Sequence, residues 1–366
     1  MALSNTQVPV QRQESYVIVR FLVCFAVSLL TAAPPGASQQ APDRVRLSLD
    51  TTEAGLILAI LATRDSGGRV SDADWQRLFA TSGFIRLKAR ETAMGRAFTD
   101  GDFRSFVLSD TLSTRRRALR RALTDWSGAD MTDAAQRALA YLPAEARIAA
   151  TVYVMIKPRS NSFVWDLQSD PAIFLYLDPA VTQAKFANTV AHELHHIGLS
   201  SVAGRVDSTI TGLSSEAGIV AQWIGAFGEG FAMLAAAGGP DVHPHAVSAD
   251  SDRVRWDHDV AQFNRDLGTL NQFFASILDG RLATADTVQT IAFTFYGVQG
   301  PWYTVGWKMA VTIERRFGRP ELIRCMTDPH RLLERYNAAA ADYNRTHPDT
   351  LATWSDPLLK ALRERS

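Results

Sequence analysis

The chain has 366 residues, with 38 Lys and Arg against 38 Asp and Glu, so its formal net charge is zero. That length supports one large domain or two ordinary ones with a substantial core, and the mix of 46% apolar and 21% charged residues is that of a globular protein. The balanced charge excludes the broad basic field of a nucleic-acid binder and gives no attraction to an acidic membrane.

Residues 1–38 read as an export signal. Arg12, Glu14 and Arg20 are the charged residues before an apolar run over 21–33, and Pro34, Pro35, Gly36, Ala37 and Ser38 follow as breaker and small cleavage-site residues. Thirteen residues are short for a bilayer span. The expectation is therefore cleavage, no stable membrane insertion afterwards, and a periplasmic or secreted protein; an uncleaved anchor is the alternative. Cleavage would leave Cys325 as the sole cysteine, which excludes an intramolecular disulfide and a cysteine-based metal site.

Residues 39–148 are expected to form a helical N-terminal region. From about Val45 to Leu142 apolar residues recur at spacings of three and four, as in Leu56, Ile57, Ile60 and Leu61. Ser71 is placed to cap a helix just before Trp75. The five arginines between 113 and 123 read as a solvated helix face rather than a phosphate patch.

The texture changes at Ala149. The segments 151–156 and 172–177 are short, β-branched and aromatic, with Pro158 and Pro171 at their borders, so both predict strands. Long helical patterns then run to the C-terminus. The expected fold is mainly α with a small β-sheet, an α+β catalytic region over 149–366 behind the helical region.

Within this region His192-Glu193-Leu194-His195-His196 carries two histidines four apart. On a helix they stand one turn above each other and can share one Zn²⁺. Glu193 then lies beside the metal, where it can take a proton from the water that zinc activates. Asp178 and Pro179 offer an N-cap and first helical residue. Phe186, Val190, Leu194 and Ile197 form the apolar stripe, about a third of a turn from the two histidines. His195 projects elsewhere and suits packing.

A metzincin would need glycine and histidine where Leu199 and Val202 stand. A glutamate from a second helix is the other common third ligand. Between Ala217 and Pro240 the only charge is Glu229, opposite the stripe Val220, Trp223, Ile224, Phe227, Phe231 and Leu234. Its neighbours on that face include Gly218, Ala221, Gln222, Gly225, Ala232 and Ala236, small enough for another helix to approach. A lone carboxylate there is costly unless paired or metal-bound. Glu216 is the reserve candidate. The polar segment 238–259, with His243, His245 and His258, predicts a long surface loop whose exposed histidines need bind nothing.

These residues resemble the gluzincin group of zinc peptidases. With Gly228-Glu229-Gly230-Phe231-Ala232 and the run 302–310 from Trp302 to Ala310, the chain is more closely similar to an uncharacterised bacterial family of zinc-dependent peptidases. The resemblance implies a zincin-like fold, one zinc held by His192, His196 and Glu229, and Glu193 as catalytic base. It also implies that segment 172–177 is a sheet edge on which a peptide substrate can pair. Gly228 stands where many gluzincins have asparagine. An oxyanion donor is also required, and Tyr303 is the choice, with Tyr296 and His258 competing. The expected function is hydrolysis of peptide bonds in a peptide or protein substrate. The alternatives are a zinc-stabilised binding protein without turnover and a zinc amidase on non-peptide substrates. Nothing in the sequence indicates the oligomeric state.

Overall fold

A computed structural model describes residues 44–167 and 169–365. The expected export signal lies outside the described residues. The first described element is a strand, β1 (Val45–Asp50). Helical periodicity was expected to begin here, but Val45, Leu47 and Leu49 alternate with Arg46 and Ser48, the two-residue period of a half-buried strand. Six helices follow: α1 (Thr52–Asp65), α2 (Asp72–Phe79), α3 (Ser82–Ala93), α4 (Asp100–Val107), α5 (Asp110–Ser127) and α6 (Met131–Leu139). Ser71 caps α2 in a reciprocal box with Asp74. The arginines of α5 do more than face solvent: Arg116 pairs with Asp65 at 2.6 Å and Arg115 donates to the Tyr176 hydroxyl at 3.0 Å.

The other strands are β2 (Ile148–Met155), β3 (Phe163–Trp165) and β4 (Ala172–Tyr176), and the sheet order is β1-β2-β4-β3. β1 and β4 run parallel to β2, with Val45 opposite Ile148 and Thr151 opposite Ala172. β3 is antiparallel to β4, with Phe163 opposite Phe174. β4 is thus interior, against the expectation that it forms an edge. Its outer hydrogen-bonding side is taken by β3, whose three residues are too few to stand out in sequence.

After β4 come α7 (Gln183–Ser200), α8 (Ala203–Ile210), α9 (Ser215–Ile224), a 3₁₀ turn (Gly225–Phe227) and α10 (Gly228–Ala237). The remaining helices are α11 (Asp250–Ala261), α12 (Phe263–Leu278), α13 (Ala285–Thr294), α14 (Pro301–Phe317), α15 (Arg319–Cys325), α16 (Pro329–Asn344) and α17 (Asp356–Arg363). The architecture is mainly α with a small mixed sheet.

Two hydrophobic cores flank the helix pair α7 and α10. The first joins α1 to α6, the sheet and the inner stripe of α7, where Phe186, Val190, Leu194 and Ile197 are buried. It therefore draws on residues on both sides of position 148. The second joins α9, α10, α12 and α14 to α17 around Phe227, Phe274, Trp302 and Trp354. Ser215–Ala237 is long and apolar enough to cross a membrane by composition, yet most of it is buried inside the protein.

Candidate metal centre

α7 begins later than its sequence suggests. Thr182 is the N-cap, its hydroxyl accepting from the Lys185 amide at 3.1 Å, while Asp178 instead closes a turn by accepting from the Ala180 amide at 2.9 Å. The four-residue offset does not alter the register of the histidines. Their face lies beside the buried stripe, leaving His192 at 9% exposure and His196 partly exposed. His195 is fully buried and faces Tyr141, with Nε2 3.3 Å from the Tyr141 carbonyl; burial pushes its imidazole down to about 3.

Glu229 comes from α10. The expected continuous helix is interrupted at Gly225–Phe227, and the 3₁₀ turn lets a new helix start at Gly228 with Glu229 in its first turn. A carboxylate is favourable at that end of a helix dipole. Gly230 and Gly306 then bring α10 and α14 into contact through their backbones. A Cβ on Gly230 would lie 2.1 Å from the Trp307 amide nitrogen, and one on Gly306 would lie 2.7 Å from the Phe227 carbonyl oxygen. α7 is tied to the same helix by Asn188, whose amide donates to the Ala236 carbonyl at 3.0 Å.

The result is a triangle of ligand atoms. His192 Nε2 and His196 Nε2 are 3.0 Å apart, and each is 3.2 Å from Glu229 Oε2. Two imidazole nitrogens and a carboxylate oxygen converging this closely offer lone pairs that a shared cation would satisfy. A tetrahedral zinc with bonds of about 2.0–2.1 Å holds its ligand atoms about 3.3 Å apart, so the donor set and its spacing fit that ion. Glu216, by contrast, is exposed in the first turn of α9 and outside the cluster.

The electrostatics follow from this packing. Burial alone would raise the Glu229 carboxyl, but His196 and His192 outweigh it and hold the group well below the usual carboxylate range. Burial pulls His196 down, yet the Glu229 carboxylate wins and raises it. Glu193 is 2% exposed, its Oε2 is buried without a partner among the described residues, and burial raises its carboxyl. It is close enough to feel His192, His196 and Glu229 but is not one of the three ligand positions.

Tyr303 stands in the first turn of α14. Its ring is nearly parallel to that of His192, at 15° and 6.3 Å between centroids, and its phenol is raised by burial and by the nearby Glu229 and Glu193 carboxylates. Tyr296 also feels Glu229 and packs 6.5 Å from Tyr303. His258 is exposed on α11.

Residues 75–345 match the family model described as "Putative zinc dependent peptidase (DUF5700)". The chain belongs to this family. The match runs from α2 to the end of α16, so this zinc-dependent peptidase family takes in both cores as well as the motif helix. No curated protein and no solved structure matches the chain significantly.

Part of the site was not legible in sequence. The segment 238–259 is not a long surface loop: α11 starts at Asp250, and His245 is 1% exposed. Its ring packs on Trp256 at 5.3 Å, and Trp256 meets Trp307 at 5.7 Å, so this segment joins the small apolar cluster that contains Tyr303.

Proposed function

We propose that the chain is an exported, single-zinc peptidase in which His192, His196 and Glu229 hold the ion and Glu193 is the general base. The observation that carries this reading is the Glu193 carboxyl, buried beside the ligand triangle with an unpartnered oxygen. A purely structural zinc site takes four protein ligands and has no use for such a group. Zinc bound there supplies Lewis acidity, polarising a carbonyl and acidifying a water.

The chain's own residues supply the remainder. Oε2 of Glu193 accepts the proton of the attacking water and delivers it to the departing amine nitrogen. The Tyr303 hydroxyl, kept protonated by its burial, donates to the carbonyl oxygen as negative charge develops, with Tyr296 alongside. The rings of Tyr303, Trp307 and Trp256 exclude water from one side of the cleft.

The test is Glu193→Gln, which preserves size and hydrogen bonding but cannot take a proton. Peptide hydrolysis is expected to fall by about 10³-fold or more, with zinc content unchanged by atomic absorption. Normal turnover in that variant would contradict the mechanism.

A further inference from the structure

The C-terminal ends of β2 and β4 and the start of α5 enclose a cavity of about 220 Å³. It shares no residue with the metal cluster. Its polar lining is Ser109, Thr111, Arg115, Lys157 and Tyr176, which brings two cations and three hydroxyls together with no carboxylate among them. The rest of the lining is apolar, from Phe106, Leu112, Leu119, Ile156 and Pro158.

Neither cation has an acid to balance it. Arg115 donates to the Tyr176 hydroxyl at 3.0 Å and has no carboxylate within 4 Å among the described residues. Lys157 is 2% exposed, and its ammonium donates to the carbonyls of Arg159 and Asn161 and to the Asn161 side chain, all neutral oxygens. The acids whose charge reaches it are otherwise occupied. Glu91 pairs with Arg90 and, at 2.8 Å, with Arg96, while burial pushes Glu53 up to about 8 and leaves it mostly protonated at pH 7. A buried cation without a counter-charge is costly. The hydroxyls are also donors in want of an acceptor. Tyr176 accepts from Arg115, and Ser109 accepts from the Leu112 amide at 3.3 Å. Neither of their own protons, nor that of Thr111 at the exposed rim, has an acceptor among the described residues.

We propose that this cavity binds a small organic carboxylate, its oxygens held by Arg115, Tyr176 and Ser109 beside the Lys157 charge and its apolar body against Leu112, Leu119 and Ile156. The ligand class follows from the lining. The free polar groups are all donors, which selects a ligand that only accepts, and an ionised carboxylate is one. Of the five N–H donors of a guanidinium, Arg115 gives one to Tyr176 and keeps enough for both carboxylate oxygens. Inorganic phosphate would meet the cations but press its charge on the apolar side chains. A volume of about 220 Å³ is roughly that of seven waters in the liquid, room for a ligand of on the order of ten non-hydrogen atoms. The inference stands whether or not the chain hydrolyses peptides.

The experiment titrates the zinc-loaded chain by calorimetry with benzoate and hexanoate, against the neutral isostere benzamide and inorganic phosphate. Both carboxylates are expected to bind at least about tenfold more tightly than benzamide, the effect of charge-assisted hydrogen bonds, and more tightly than phosphate. Arg115 is only partly buried on α5, so Arg115→Met should fold with the Tm of wild type and weaken benzoate at least about tenfold. Arg115→Lys, which keeps the charge without the fork, should fall between the two. Tyr176→Phe keeps the ring and gives a second reading, with a loss of about threefold or more. Because a carboxylate can also ligate zinc, the titration is repeated on Glu229→Ala. Benzoate binding retained there and lost in Arg115→Met and Tyr176→Phe sustains the proposal. Binding lost in Glu229→Ala but retained in the cavity variants belongs to the metal cluster and overturns it. Equal affinity for benzoate and benzamide, or no carboxylate binding at millimolar concentration, would overturn it as well.

Discussion

On α7 the pitch of a single helix brings the two histidines together, whereas on α10 the carboxylate reaches them only because two other helices hold that segment in place. The α7 half needs a continuous helix and a buried stripe, both local properties of its sequence. The other half depends on a 3₁₀ interruption before Glu229 and on the meeting of Gly230 with α14, 76 positions before Gly306 in the chain. The comparison teaches that the metal cluster should be robust to changes along α7's outer face and fragile at the α10–α14 crossing.

The largest effect is expected there. Gly230→Ala places a Cβ against backbone atoms of Trp307, Gly306 and Tyr303, none of which can rotate aside. A loss of about 3 kcal/mol or more is expected, with zinc binding weakened because Glu229 is the adjacent residue. Gly228→Ala is the control, since its Cβ would meet Leu199 at an ordinary 3.9 Å. Thermal melts showing equal stability for both variants would break the distinction between the two halves.

The next effect tests how far the second half also serves chemistry. Tyr303→Phe removes the hydroxyl beside Glu229 and keeps the ring packed by His192. A fall in kcat of about 10²-fold with little change in KM is expected if the hydroxyl acts on the developing oxyanion. A change confined to KM would place the residue in ground-state binding instead. Tyr296→Phe provides the comparison, with a smaller loss expected.

What sequence conveyed follows the same division. The motif helix, the segments that became β2 and β4, and the solitary acid at Glu229 were all legible, because each rests on local periodicity or on one charge in an uncharged stretch. β1 was missed because its partner, Ile148 onward, lies about a hundred residues away and the surrounding text is helical. The edge position given to β4 failed because β3 is only three residues long. His245 was read as exposed because Gly238, Pro240 and Pro244 signal a loop; that loop folds back onto Trp256, a contact that local patterns do not encode.

The smallest effect lies far from the cluster, in the core that supports α7. Glu53 is buried, with Oε2 accepting from the Ile156 amide at 3.0 Å and Oε1 unpartnered among the described residues. Burial pushes its carboxyl up to about 8, and the nearby Lys157 does little to keep it ionised, being itself pushed down to about 7 by burial. A raised folded-state value makes its contribution to stability complete at acidic pH and lost as pH rises towards and through 8. Glu53→Gln keeps the acceptor and removes the titration, so its Tm relative to wild type should rise steadily between pH 4 and pH 8.5. An unchanged difference between the two pH values would remove Glu53 as the source.

The central claim is that one ion joins the two halves, and zinc X-ray absorption on wild type and Glu229→Ala tests it most directly. The wild-type chain should hold one zinc with only nitrogen and oxygen neighbours at about 2.0–2.2 Å, and Glu229→Ala should lose affinity by more than about a hundredfold, beyond the usual cost of disturbing a supporting residue. Equal zinc affinity and an identical coordination shell in Glu229→Ala would contradict the account.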